Sequence, residues 1–282
     1  MSNSSDATRV LDSIDTEIAE QLLSRRAALA RGASTTGVVM AGLRMGTVPA
    51  ALAALSTSAF GQGGRLPTAV TGVLNFALRL EYLEFEFYNR GLAAARLIPA
   101  ADRTIFTTIQ THENVHVEYL RTALGASARP KPTFDYTAGG GSGTGPFADV
   151  FTNYATFLAV AQAFEDTGVR AYKGQAPTLM PYKDVLQAAL TIHSVEGRHA
   201  AEVRRLRGNF ADNEPNQGWV TLALTDIPGT AAVYANEQNT MQGGIDVTTI
   251  VTGIAAKEVS EAFDEPLTMA EILAIVTPFI AA

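Results

Sequence analysis

Four stretches between Leu66 and Gly208 carry apolar residues at three- and four-residue steps, the spacing that puts them on one face of a helix. The first stripe runs Val70, Leu74, Ala77, Glu81, Glu84, Tyr88, and the second Ile105, Ile109, Glu113, His116, Leu120. The third runs Phe151, Tyr154, Leu158, Ala161, Glu165, Gly168, Tyr172, and the fourth Ile192, Glu196, His199, Val203, Leu206. Short Pro-containing turns, Leu97 to Ala100 and Pro177 to Pro181, join the helices into two pairs. Between the pairs, Lys131 to Asp149 holds the run GGGSGTG from Gly139 to Gly145 and reads as a crossover loop. That run has no GxGxxG spacing, no GKS or GKT ending and no predicted strand before it, which argues against a phosphate-binding loop. The pattern predicts an all-α fold, a four-helix bundle of two helical hairpins over residues 66–208 with a long crossover.

Each apolar stripe is interrupted midway by a carboxylate. An unpaired carboxylate in a core costs several kcal/mol, so one per stripe requires partners or a cation. The interruptions also repeat. Glu81 to Glu165 and Tyr88 to Tyr172 both span 84 positions, and Glu113 to Glu196 and His116 to His199 both span 83. Two hairpins in register imply a pseudo-twofold bundle. The repeat places one Glu on each of the first and third helices and one Glu-x-x-His on each of the second and fourth, the pattern of a carboxylate-bridged pair of metal ions.

The stretch THENVH, residues 111–116, has a second reading, since His112-Glu113-x-x-His116 also spells the helix motif of zinc proteases. That reading needs a third ligand further along the chain and an open position for water, and no further motif supplies them. It stays a minor alternative. The chain has four histidines, at 112, 116, 193 and 199, all within four residues of Glu113 or Glu196. His112 lies about 100° around the helix from Glu113, which places it beside the ligands or at the surface, and His193 has the same two readings. Glu84 is open between ligating a metal and bonding a neighbour of the ligands. Tyr88 and Tyr172 are open between bonding the ligands, electron transfer and plain packing.

Composition narrows the chemistry. With 282 residues, 47% of them hydrophobic and 17% charged, the chain can bury a substantial core. A net charge of -7 argues against nucleic acid as a partner. The absence of cysteine excludes disulfides, thiolate-bound zinc and iron–sulfur clusters, leaving His and carboxylates to hold a metal, a ligand set suited to iron, manganese or zinc. Residues 1–61 read as an address. Arg25-Arg26 precedes an apolar run from Gly32 to Leu55, and Ala59-Phe60-Gly61 offers small residues for cleavage, as in a twin-arginine export signal. The expectation is an exported protein of the periplasm or cell envelope; the alternative is an amphipathic helix or an uncleaved membrane anchor over residues 32–55.

The segments LNFALRLEYLEFEFY (Leu74 to Tyr88), HENVHVEYL (His112 to Leu120) and SVEGRH (Ser194 to His199) resemble the ferritin-like superfamily, in particular the bacterial ferritin-like domain family that includes plant desiccation-related proteins. VYANEQNTMQGG and EAFDEPLTMAEILAIVTPFI resemble that family's C-terminal extension, here residues 209–282. Within the extension, Phe210 to Thr230 reads as irregular, and Thr268-x-x-Glu271 is a capping box opening a short apolar helix over Ile272 to Phe279. The resemblance implies two iron or manganese ions bridged by Glu113 and Glu196, with Glu81, His116, Glu165 and His199 as terminal ligands. The activity expected is redox chemistry with oxygen, peroxide or ferrous iron: ferroxidase, peroxidase or catalase-like. The rival is a non-enzymatic stress or envelope scaffold that uses the metals only to hold the bundle together, and a homo-oligomer is compatible with either reading.

Overall fold

The computed structural model describes residues 66–208, 217–250 and 252–281, so the export-signal reading of residues 1–61 lies outside the described residues. Helices α1 (Thr68–Ala93) and α2 (Arg103–Leu124) form one hairpin, and α3 (Tyr154–Leu179) and α4 (Lys183–Arg207) form the other. Further on come α5 (Ala256–Ala262) and α6 (Met269–Val276). The strands among the described residues are two-residue pieces, β1 (Met241–Gln242) and β2 (Ile245–Asp246), paired antiparallel, so the fold is all-α.

Local chemistry sets the helix ends. Asn153 caps α3, its side-chain oxygen accepting from the N–H groups of Ala155 at 3.0 Å and Thr156 at 3.5 Å. The returning helix of each hairpin stops at a glycine with positive φ, Gly125 at 53° and Gly208 at 74°. These two glycines are also 83 positions apart, so the repeat extends to the helix stops.

Three expectations need correction. Pro177 stands inside α3, and the turn is confined to the residues after Leu179. The proline removes one backbone hydrogen bond from the last turn, and the helix ends two residues later, so little is lost. Phe151 precedes α3, which starts only at the Asn153 cap. Ile105 is half-buried, and its neighbour Phe106 fills the core position, packing edge-on against Phe157 at 5.2 Å. Phe157 in turn stacks on Phe87 at 4.7 Å, giving the centre of the bundle an aromatic layer just beyond the acidic level.

The extension is bolted to α3 and α4 by buried charges. Arg170 donates from Nε to the Glu265 carbonyl at 2.7 Å, donates to the carbonyls of Val233 and Ala235, and pairs with Glu237 at 2.9 Å. Asp166 pairs with Arg204 of α4 and accepts from the Tyr234 hydroxyl at 2.7 Å. At the end of α4, where cations also offset the helix dipole, Arg204 is held by this pair and Arg207 pairs with Asp226 at 2.7 Å. The capping box at Thr268 and Glu271 is present, though the α-helix it opens ends at Val276 and a 3-10 turn covers Thr277–Phe279.

The crossover and the C-terminal segment hold each other. Asp135 N–H donates to the Phe279 carbonyl at 2.8 Å, and Ala281 N–H to the Thr133 carbonyl at 2.9 Å. The glycine-rich run wraps a carboxylate of its own chain: Asp135 accepts from the N–H groups of Thr137, Gly141 and Gly143 and from the Thr137 hydroxyl at 2.6 Å. The Thr137 hydroxyl, with the backbone donors, holds the Asp135 carboxyl down to about 2.

Gly174 lies where the extension crosses α3, and a Cβ there would stand 1.9 Å from the Leu267 carbonyl oxygen. Gly174→Ala is expected to destabilise the fold by about 1–3 kcal/mol despite alanine's better helix propensity. Denaturant unfolding measures this, and an unchanged or raised midpoint would mean that the extension does not pack here.

Candidate metal centre

The midpoints of the four stripes meet at one level of the bundle. Glu81, Glu113, Glu165 and Glu196 are completely buried, and His116 and His199 nearly so. Their ligand-type atoms form two converging groups, Glu81, Glu113, His116 and Glu196 in one, and Glu113, Glu165, Glu196 and His199 in the other. Glu113 and Glu196 belong to both.

The geometry follows the pseudo-twofold repeat. His116 Nδ1 lies 3.1 Å from Glu81 Oε2, 3.1 Å from Glu113 Oε2 and 3.2 Å from Glu196 Oε1. His199 Nδ1 lies 2.8 Å from Glu113 Oε1, 3.3 Å from Glu165 Oε2 and 3.7 Å from Glu196 Oε2. Each central glutamate therefore presents one oxygen to each histidine. The outer glutamates are oriented by an exchanged pair of tyrosines, Tyr172 of α3 donating to Glu81 Oε1 of α1 and Tyr88 of α1 donating to Glu165 Oε1 of α3. In both outer glutamates the second oxygen faces the histidine.

These contacts do not amount to a closed hydrogen-bond network. One ring N–H cannot serve three carboxylate oxygens, and Glu113 Oε1, Glu165 Oε2, both Glu196 oxygens and His199 Nδ1 are buried without a hydrogen-bond partner. Lone pairs aimed at a common centre with no donor between them are the donor set of a cation. Four carboxylates and two neutral imidazoles also match the charge of two divalent ions, so the residues fit a metal pair.

Protons are the competing way to neutralise the cluster. Burial, with the neighbouring carboxylates, raises Glu84 and Glu113, and burial pushes Glu165 up to about 7. Burial alone would lower the imidazoles, but the facing carboxylates outweigh it, raising His116 and pushing His199 up to about 12.

The remaining candidates fall outside both groups. His112 is exposed at the rim, its Nδ1 2.9 Å from His199 Nε2 and its ring stacked on that histidine at 5.2 Å. It lines a surface groove of about 450 Å³ with Thr104, Thr107, Thr108 and Thr111. His193 turns away, its Nδ1 3.0 Å from the Val169 carbonyl oxygen. Glu84 is buried beside the cluster. The polar network of Asp166, Arg170, Arg204 and Tyr234 around α3 does not follow from helical spacing; its signal is the charged and polar residues flanking Glu165 on the other faces of α3.

Fold and site together define an all-α bundle with a buried acid–histidine centre able to bind metal. The family model for the ferritin-like domain matches residues 69–209, and the chain belongs to that family. No curated protein and no solved structure matches the chain.

The pH dependence of the chelator-treated protein follows from the protons held in the cluster. Above the ordinary glutamate range and up to about 7, folded Glu165 keeps a proton that the unfolded chain has lost, so stability falls as pH rises. The raised imidazoles act in the same direction, their contribution being complete below about 6.5 and lost at higher pH. The melting temperature of metal-free protein is expected to drop between about pH 5 and pH 8 and that of metal-supplemented protein to change much less. A metal-free profile that is flat or rises would contradict this.

Proposed function

We propose that the protein carries two iron or manganese ions at this centre and uses them for redox chemistry with dioxygen or hydrogen peroxide. The observation that carries the proposal is the set of buried, unbonded oxygens and nitrogen aimed at shared points between α1, α2, α3 and α4. Glu113 and Glu196, with one oxygen toward each histidine, would bridge; Glu81 with His116 and Glu165 with His199 would hold the two ends. Such a pair supplies two one-electron changes side by side, the requirement for reducing oxygen or peroxide.

The chain's own groups do the rest. Tyr88 and Tyr172 fix which oxygen of each outer glutamate faces inward, and the surrounding apolar side chains and aromatic layer limit water. With no cysteine in the chain to supply a second iron centre, oxidation of ferrous iron and catalase-like disproportionation fit better than a reductase. The zinc-protease reading loses its geometry, because His112 belongs to neither converging group and Glu113 is enclosed between the two histidines. The proposal includes export to the periplasm or cell envelope, resting on Arg25-Arg26 and the apolar run that follows. No helix among the described residues is long and apolar enough to cross a membrane, and residues 32–55 are not among them.

Purified protein is expected to carry about two iron or manganese ions per chain, and Glu113→Ala and Glu196→Ala are each expected to lose both, since both glutamates are shared. Elemental analysis tests this, followed by oxygen, peroxide and ferrous-iron assays. Full metal content without turnover would leave the ions as structural ties of a scaffold. A single zinc surviving Glu196→Ala would favour the protease reading.

A further inference from the structure

The repeat that pairs the ligands fails at one position on α1. Offsetting Glu81 and Tyr88 by 84 positions gives Glu165 and Tyr172, whereas the same offset takes Glu84 to Gly168. A carboxylate on one side of the pseudo-twofold axis thus answers a missing side chain on the other.

The two residues meet in space. A Cβ on Gly168 would stand 3.2 Å from Glu84 Oε1 and 3.5 Å from Glu196 Oε2, so both oxygens lie against the same point on α3. Glu196 Oε2 is the oxygen that faces His199, not His116. Glu84 therefore approaches the half of the centre held by Glu165 and His199, although it stands on the same helix as Glu81, which serves the other half. Its side chain is 3% exposed. Burial and the repulsion of Glu196, Glu165, Glu113 and Glu81 are the main influences on it, with no hydrogen bond among them. Glu84 stands outside the two converging groups, but a buried carboxylate crowded by four others is a position that a nearby cation would relieve.

We infer that Glu84 is a fifth carboxylate arm of the metal centre, serving the ion at Glu165 and His199 alone, and that Gly168 sets this asymmetry by leaving the arm its space. The inference rests on the two-metal reading above. It makes the two positions chemically unequal: one has an additional anionic oxygen within reach, and the other has only the shared set. Affinity for a hard divalent ion rises with the number of carboxylates, so the Glu165–His199 position is the tighter one.

The test is titration of the chelated full-length protein with manganese(II), counting bound and free ion by electron paramagnetic resonance, for the wild type, Glu84→Gln and Gly168→Ala. The wild type is expected to bind two ions with unequal dissociation constants. Glu84→Gln should weaken the tighter one by about tenfold or more and leave the other within about twofold, the scale of losing one ligand or its support. Gly168→Ala keeps all five carboxylates but displaces Glu84 and should reproduce that loss, while alanine in a helix interior does not weaken the helix itself. Circular dichroism establishes that each variant is folded. Unchanged binding of both ions in both variants, or equal weakening of both ions, overturns the inference while leaving the two-metal reading in place. An effect in Glu84→Gln alone overturns the role of Gly168. Wild-type protein that takes up no manganese or iron overturns the two-metal reading, and this inference with it.

Discussion

Four carboxylates buried at one level of an apolar bundle are the constraint on which the rest of the structure depends. Left unpaired, each would cost several kcal/mol, more in total than the net stability of an ordinary domain. The fold answers by bringing them to shared points with two imidazoles and by fixing each outer glutamate with a tyrosine from the opposite hairpin. The tyrosine exchange ties α1 to α3 through the centre itself, so the hairpins cannot slide past each other without breaking the orientation of both outer glutamates. Helix register, hairpin pairing and site geometry are one requirement expressed at three scales.

The outer parts of the molecule serve that register. Asp166 and Arg170 flank Glu165 on α3, and both are committed to the extension and to α4 through Tyr234, Glu237 and Arg204. The helix that carries one outer ligand is thereby held from its far side by buried ion pairs, whose loss on one side only would leave an uncompensated charge. The crossover, organised around Asp135, is closed by the backbone of the C-terminal segment. A long crossover lets the second hairpin reverse direction, and here it is also a packing surface.

Much of this was legible in the sequence because helical spacing is a strong signal when an apolar stripe carries a polar interruption. The buried residues Val70, Leu74, Ala77, Glu81 and Tyr88 all lie on the stripe read for α1, and the 84- and 83-position repeat groups the six acid and histidine residues. Spacing could not place Pro177 inside α3 or choose Phe106 over Ile105, since both depend on where the helix ends and how the aromatic layer fills. Nor could it show the network around Arg170, because ion pairs between residues more than sixty positions apart leave no periodic trace. Gly168 was on the predicted stripe, but its meaning, a space filled by Glu84, exists only in three dimensions.

The pseudo-twofold symmetry is accordingly close but broken, at Glu84 opposite Gly168 and at His112, whose counterpart position holds Val195 and which alone of the rim histidines touches a residue of the centre. Ligands repeat, and their surroundings do not. The most direct test of the account is anomalous X-ray diffraction from crystals of the purified chain, recorded at the iron and manganese absorption edges. Two peaks about 3.5–4 Å apart, one against Glu81 and His116 and the other against Glu165 and His199, are the predicted result. No peak at that level of the bundle, or a single zinc peak between His112 and His116, would contradict it.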